Sequence, residues 1–248
     1  FSNHHDMPGE IGMAIRRPFV SVDSSEGVHV IWDGFREGEL QIVHGANEVF
    51  YCGHVNGRWS DIINISQNQE HGFRGAATIA CSGDQVHAIW CDTNYRISRD
   101  QGKTWDPPLS QPPGLIHQDY DVDRDFRWWQ LTTTRIPGTD KLAMIQSARF
   151  SPDGNLDRWT GWMNIRELFL SIYDPTSGWS EPRSIYSVDA PLSMNVEPDP
   201  GESFLRMERP DVSADGLGRI YVTWDETRGV GPDRSNWTRT AYVRTVEA

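Results

Sequence analysis

Apolar and polar residues alternate along this chain in short runs, and one pattern recurs. Three copies read EGVHVIWDG (26–34), DQVHAIWCD (84–92) and GRIYVTWDE (218–226). A weaker copy, KLAMIQSA (141–148), has Gln146 in the Trp position. Alternation with a period of two is typical of strands, and no sustained helical periodicity competes with it. The chain is therefore predicted to repeat one kind of sheet.

The spacing and flanks of these copies define the repeat. The Trp or Gln positions are 58, 56 and 78 residues apart, as in blade-length repeats. Each copy follows another apolar run and a turn, and three precede a third run that ends in a Gly turn and Trp. A fourth run follows that Trp. Four antiparallel strands, a to d, predict blades over 17–66, 74–111, 127–186 and 209–248.

We therefore expect an all-β propeller with about four blades in this chain. Residues 1–248 would form one domain, or part of a larger propeller. The last repeat ends after strand c, at 240–248. The short run EIGMAI, 10–15, is a candidate for the missing outer strand, which would leave no open edge. In the rival interpretation, a second copy or a missing chain completes the propeller.

Charge and composition narrow the function. The chain has 23 Lys and Arg against 35 Asp and Glu, a net charge of −12. This acidity argues against nucleic-acid binding, and no apolar run approaches the ~18 residues of a membrane span. The three Cys lack the spacing of a zinc site. A start at Phe1 fits a processed chain or a fragment, and we expect an extracellular or secreted protein.

The stretch SRDQGKTW, 98–105, is the turn between strands c and d of the second repeat. It matches the Asp-box pattern S-x-D-x-G-x-T-W at each defined position, which are Ser98, Asp100, Gly102, Thr104 and Trp105. The chain thus resembles the sialidase-like, BNR-repeat propeller superfamily. The residue types indicate a structural turn, because Ser and Asp accept turn amides and Gly permits positive φ. In the family these turns lie opposite the active site.

The other end of each blade carries the candidate chemistry. Strand a should begin, and strand b end, at this end. Three arginines precede strand a, at Arg17, Arg74 and Arg209, and acids follow strand b at Asp33, Asp92 and Asp225. Arg offers a planar fork for carboxylate or phosphate. The third repeat departs from this pattern.

The resemblance implies a glycan-active protein, an exo-sialidase-like glycoside hydrolase if it is an enzyme. Arg17, Arg74 and Arg209, with Asp225, would bind an acidic sugar, and Asp33 or Asp92 would be the acid/base. Tyr242 is the nucleophile candidate, with Tyr120 and Tyr186 as alternatives. The other interpretation is a noncatalytic propeller for protein interaction or assembly, in which Arg–Asp pairs join the blades.

One acidic loop is a candidate metal site. Asp119, Asp121 and Asp123 alternate in DYDVDRD, so their carboxylates can face one Ca²⁺. The loop lacks the Gly and Glu of an EF-hand loop, and a solvated acidic loop is the competing interpretation. No other cofactor is expected.

Overall fold

The computed structural model describes residues 13–36, 48–66, 77–90, 94–109, 126–150, 165–187, 203–230 and 233–247. These residues form antiparallel sheets, with one 3-10 turn at Arg234–Asn236 and no α-helix among them. The chain divides into two compact units, 1–112 and 113–248, and each holds two sheets. The predicted fold class is confirmed: the protein is an all-β propeller with four blades in this chain.

The first unit contains blades one and two. The strands of blade one are β1 (Met13–Val22), β2 (Val28–Arg36), β3 (Glu48–Val55), β4 (Arg58–Trp59) and β5 (Ile63–Asn64). Both β4 and β5 pair with β3, so strand d is split in two. Blade two consists of β6 (Thr78–Ser82), β7 (Gln85–Trp90) and β8 (Asn94–Ser98), and a bridge from Tyr95 to Leu109 marks its strand d.

The second unit contains blades three and four. Blade three consists of β9 (Phe126–Arg135), β10 (Leu142–Phe150), β11 (Ile165–Asp174), β12 (Gly178–Trp179) and β13 (Arg183–Ser187). Its strand d is split like that of blade one, because β12 and β13 both pair with β11. Blade four has three long strands in the described residues, β14 (Ser203–Ala214), β15 (Arg219–Val230) and β16 (Thr238–Glu247).

The interpretation of EIGMAI as an outer strand is wrong for the described part of that run. Met13, Ala14 and Ile15 belong to β1 and pair with Arg36, Phe35 and Gly34 of β2. They lengthen strand a of blade one instead of covering another edge. The physical reason is that the strand continues through Arg17-Pro18, where it bulges and its register shifts.

Arg17 and Arg209 lie within strand a and do not precede it, which corrects the sequence prediction. In β1 the register shifts between Arg16 and Phe19, and in β14 it shifts between Glu208 and Asp211. Each shift contains an Arg-Pro pair. Proline has no amide hydrogen for the ladder, so the strand bulges there and continues beyond it. Arg209 itself has a φ of 53°.

Alternation along each strand gives every blade two faces, and apolar faces pack within each unit. In the first unit a buried cluster joins blade one to blade two, and it includes Ile31, Tyr51, Ile79, Ala88 and Trp90. In the second unit a cluster joins blade three to blade four, and it includes Ile145, Leu170, Val212, Val222 and Trp224. The strand b residues of these clusters come from the recurring runs, so the repeat in the sequence is a repeat of blade-to-blade packing.

The turn at SRDQGKTW is braced by its own side chains. Ser98 Oγ accepts the Gly102 amide at 2.7 Å and donates to Asp100 Oδ1 at 2.8 Å. Asp100 also accepts the Thr104 amide at 2.8 Å and the Thr104 hydroxyl at 2.7 Å. These hydrogen bonds hold down the pKa of Asp100 against the opposing effect of burial. Asp100 therefore acts in the turn as a hydrogen-bond acceptor.

Gly102 connects this turn to blade one. It has a φ of 81°, and a Cβ at this position would lie 1.7 Å from the Tyr51 hydroxyl. Trp105 then contacts the Tyr51 ring edge to face, with ring centroids 4.9 Å apart. The turn of blade two is thus fixed against strand c of blade one, which supports a structural role for SRDQGKTW.

Candidate functional site

The candidate site lies where the strands of blade four approach the end opposite its a–b turn. Glu226, near the end of β15, is only 1% exposed. Its Oε2 accepts two hydrogen bonds from Arg228, at 3.0 Å and 2.7 Å. Its Oε1 accepts from the Tyr186 hydroxyl and from Trp224 Nε1, the latter at 3.3 Å. A nearly buried carboxylate is thereby surrounded by a guanidinium, a phenol and an indole.

These hydrogen bonds set the protonation states of Glu226 and Tyr186. Burial opposes ionisation of Glu226, but the hydrogen bonds from Tyr186, Arg228 and Trp224 outweigh it and lower the pKa of the carboxyl. Burial, together with the hydrogen bond to this carboxylate, raises the pKa of Tyr186 to about 12. At neutral pH the site therefore holds a Glu226 carboxylate that accepts a hydrogen bond from the neutral Tyr186 phenol.

Tyr186 comes from blade three, and its ring packs against blade four. It lies at the end of β13, with its centroid 4.8 Å from Trp224 and 6.4 Å from Tyr242. Trp224 and Tyr242 stack at 5.4 Å with an interplanar angle of 10°. Tyr186 and Trp224 thus contact the Glu226 carboxylate, and Tyr242 packs against both of their rings. Tyr242, the predicted nucleophile, contributes its ring to this group, whereas the phenol that reaches the carboxylate belongs to Tyr186.

Asp225 and Glu226 project to opposite faces of β15, as neighbours on a strand do. Asp225 is half-buried and forms an ion pair with Arg239, with 2.5 Å between Oδ2 and the guanidinium nitrogen. The two neighbouring acids therefore do not form one carboxylate pair. Arg209, on the adjacent strand at the bulge, is exposed and lies beside Glu208, the register partner of Asp225.

The position in blade one that is equivalent to Asp225 is buried. Asp33 follows Trp32 in β2 as Asp225 follows Trp224 in β15, but its side chain is fully buried. The strand register places Arg16, not Arg17, opposite Asp33. In blade three, Gln146 and Ser147 occupy the corresponding positions and are also fully buried. Among these described positions, the half-buried acid at the predicted end is Asp225.

Several predicted residues lie outside the described part of the chain. These are Arg74, Asp92, Asp119, Asp121 and Asp123, and the side chain of Arg17 is also outside it. Their roles stay predictions. Within the described ranges, no group of three or more His, Cys, Asp or Glu is placed to hold a metal ion. No helix in those ranges is long and apolar enough to span a membrane.

No local sequence pattern predicts the contact between Tyr186 and Glu226, because 40 residues separate them. Two other features did leave a signal. Asp23 and His29 are six residues apart, as are Asp215 and Tyr221. In each pair the aspartate carboxylate accepts hydrogen bonds from two backbone amides at its a–b turn. It is also hydrogen-bonded to the side chain six residues later. The Arg-Pro pairs similarly mark the bulges.

Comparisons with known proteins give a fold likeness. No protein-family model and no curated protein sequence matches the chain. Solved structures do resemble it. An N-acetylgalactosamine deacetylase from F. plautii, in complex with blood group B trisaccharide, is 10% identical with a TM-score of 0.53, and the match covers 98% of this chain and 76% of that one.

Two arabinan-related structures resemble it to a similar degree. The α-L-arabinanase of Penicillium chrysogenum, complexed with arabinobiose, has a TM-score of 0.51 at 10% identity. The GH93 α-L-arabinofuranosidase of Fusarium graminearum, also with arabinobiose, has a TM-score of 0.52 at 14% identity. Each match covers 94% of this chain but only 62% and 63% of those proteins. This chain shares their fold. At these identities the likeness extends to the fold alone.

Proposed function

We propose that this propeller binds or hydrolyses a carbohydrate at the strand ends of blade four. The observation that carries the proposal is the Glu226 carboxylate, nearly buried and hydrogen-bonded to the Tyr186 phenol. Buried ionised groups are costly unless fully paired, and such groups concentrate at functional sites. The arabinobiose and trisaccharide complexes of propellers with the same fold support a sugar as the ligand class.

The proposed chemistry uses the pair as a nucleophile and its base. Glu226 accepts the phenolic proton while the Tyr186 oxygen forms a bond to the anomeric carbon. The bond from that carbon to the leaving oxygen breaks, its electron pair stays on that oxygen, and the oxygen takes a proton from solvent. Water then attacks the anomeric carbon and releases the Tyr186 oxygen, which takes a proton from that water, and Glu226 loses its proton to solvent. A tyrosine nucleophile suits an acidic sugar, because a neutral phenol approaches an anionic substrate with less repulsion than a carboxylate does. Arg209 would bind the sugar carboxylate, and the roles of Arg17 and Arg74 stay predictions.

A hydrolysis assay with two chromogenic substrates tests this proposal. A sialoside presents an acidic sugar, and an α-L-arabinofuranoside presents a neutral one. We expect turnover of the sialoside, and Tyr186→Phe should lower kcat by at least about 100-fold because the attacking oxygen is lost. Turnover of the arabinofuranoside alone would support a carbohydrate site but contradict the proposal that the sugar is acidic.

Tyr221→Phe is the matched control. Tyr221 donates its hydroxyl to Asp215 at 2.9 Å, in the a–b turn at the opposite end of the same blade. Both variants lose one phenolic hydroxyl that is bonded to a carboxylate. Equal rates for the two variants, or no turnover of either substrate by the unmodified chain, would contradict the catalytic role of Tyr186.

A noncatalytic module is the second candidate, and one observation favours it. Both oxygens of Glu226 already have two hydrogen bonds each within the protein, which is also what a brace between blades three and four requires. In that case Tyr186→Phe would lower stability without changing ligand binding. Tyr186→Phe and Tyr221→Phe distinguish a catalytic role from a structural one when melting temperature and turnover are measured on the same samples.

A further inference from the structure

One arginine holds the Glu226 carboxylate from the solvent side. Arg228 lies two residues further along β15, so its side chain projects to the same face of the strand as Glu226. Nε and Nη2 of Arg228 both donate to Oε2, at 3.0 Å and 2.7 Å. Oε1 is thereby left to the Tyr186 hydroxyl and to Trp224 Nε1. The two oxygens of the carboxylate thus have separate partners, and a rotation out of this plane would weaken all four hydrogen bonds.

Arg228 and Glu226 differ in their access to water. The side chain of Glu226 is 0% exposed, whereas that of Arg228 is 56% exposed. Water can therefore solvate the guanidinium but not the carboxylate, whose charge depends on its protein partners. A buried carboxylate that loses its cation takes up a proton instead of staying ionised. Arg228 is thus placed to keep Glu226 ionised without being buried itself.

In the described part of the chain, the other ionisable groups beside this carboxylate are phenols. Tyr186 from β13 donates to it, and Tyr242 from β16 acts on both Tyr186 and Arg228. Arg244 of β16 donates instead to the backbone carbonyl of Ile185. The register partners of Glu226 on the neighbouring strands are uncharged, and they are Met207 and Thr240. Among the described residues, the positive charge that acts on the carboxyl is therefore that of Arg228.

We propose that Arg228 is a positioning residue for the hydrolysis, a role that rests on the proposed function above. Arg228 keeps Glu226 ionised and leaves Oε1 directed at the Tyr186 phenol, so that the proton of the attacking oxygen has an acceptor. It acts through Glu226 and not on the sugar. Its charge keeps the acceptor ionised, and its two donors fix the orientation of the acceptor, so the two contributions can be measured separately.

The pH dependence of kcat/KM on the sialoside tests this role, because Glu226 must be ionised to accept the proton. Arg228→Gln removes the positive charge, so the pKa of Glu226 should rise and the acid limb of the profile should move up by about one pH unit or more. Arg228→Lys keeps a charge but not the planar pair of donors. Its acid limb should stay closer to the original position, while kcat falls by about tenfold.

Arg219→Gln is the matched control. Arg219 is also on β15, is 53% exposed, and pairs through Nε with Asp215 at 2.7 Å, but it lies at the a–b turn end of the blade. This variant should leave the acid limb in place. An acid limb that stays in place in Arg228→Gln, or that moves equally in Arg219→Gln, overturns the proposal, whatever the change in melting temperature.

A titration that needs no turnover separates this role from the proposed function. In protein with 13C-labelled glutamate carboxyls, the Glu226 resonance is the one absent from Glu226→Gln. Its titration midpoint should be higher in Arg228→Gln than in the unmodified chain. A higher midpoint in a chain without turnover contradicts the hydrolysis but supports Arg228 as the cation that keeps Glu226 ionised. An unchanged midpoint overturns the role of Arg228, with or without turnover.

Discussion

Histidine side chains at one repeated position are buried and neutral in this protein. His29 Nδ1 lies 2.7 Å from the Tyr51 hydroxyl, and its Nε2 lies 3.0 Å from Asp23. His87 Nδ1 lies 2.8 Å from the Tyr95 hydroxyl. Burial lowers the pKa of both histidines, although Asp23 partly opposes this for His29. For His87 the pKa falls to about 3, with burial as the main cause and Arg99 as a second.

His87 should therefore make the protein sensitive to acid. Because its folded pKa lies below the unfolded value of about 6.5, the unfolded chain binds this proton first as the pH falls. The stability that neutral His87 contributes is complete above about pH 6.5 and declines from there toward pH 3. We expect the free energy of unfolding in urea to fall over this range, and to fall less steeply in His87→Phe.

His54→Phe is the control for this prediction, because His54 is half-buried beside Trp59 and not in the core. Carboxylates also lose their contribution in acid, so the comparison is between slopes and not between absolute stabilities. If the pH dependence of His87→Phe runs parallel to that of the unmodified protein, the buried histidine is not responsible.

Among the individual elements, two c–d turns allow the energetic cost of backbone strain to be measured separately from the cost of a packing clash. Gly102 and Gly57 have similar positive φ angles, 81° and 75°, and both lie in c–d turns. A Cβ on Gly102 would collide with the Tyr51 hydroxyl, whereas a Cβ on Gly57 would meet nothing within 4 Å. Gly102 and Gly57 therefore differ in what an added Cβ would contact and not in backbone conformation.

Gly57→Ala should cost about 1 to 2 kcal/mol, the strain of a left-handed alanine. Gly102→Ala carries the same strain and must also displace Tyr51, which adds about 1 to 3 kcal/mol for an overpacked core. Urea unfolding of the two variants measures the difference. Equal losses would show that the c–d turn of blade two is not fixed against Tyr51.

The elements show what the sequence could and could not predict. The strands, the c–d turns and the a–b hairpins follow from local alternation and Gly positions, so the residues of SRDQGKTW could be assigned to a braced turn. Bulges were missed because Arg17-Pro18 and Arg209-Pro210 look like the start of a strand. A proline at the edge of an apolar run interrupts the alternation of apolar and polar residues. The strand nevertheless continues past it when a bulge accommodates the extra residue.

Across the whole molecule, the repeat predicted which end of each blade carries the candidate residues but not which residues meet there. The acids at Asp33 and Asp225 are equivalent in sequence, yet one is fully buried and the other half-buried. Tyr186 and Glu226 come from different repeats, so no spacing within one repeat could indicate their contact. Such pairs depend on how neighbouring blades pack, which a local pattern does not contain.

The proposed carbohydrate site lies at the strand ends of blade four and not at the turn ends. Titration calorimetry with N-acetylneuraminic acid tests it most directly, using Arg209→Ala and, as control, Arg58→Ala. Arg209 and Arg58 are both exposed, but Arg58 lies at the c–d turn end of blade one. We predict saturable binding that weakens by about tenfold or more in Arg209→Ala, since a charged hydrogen bond is lost, and that is unchanged in Arg58→Ala. Binding that is equally strong in both variants, or no binding at millimolar sugar, would contradict the claim.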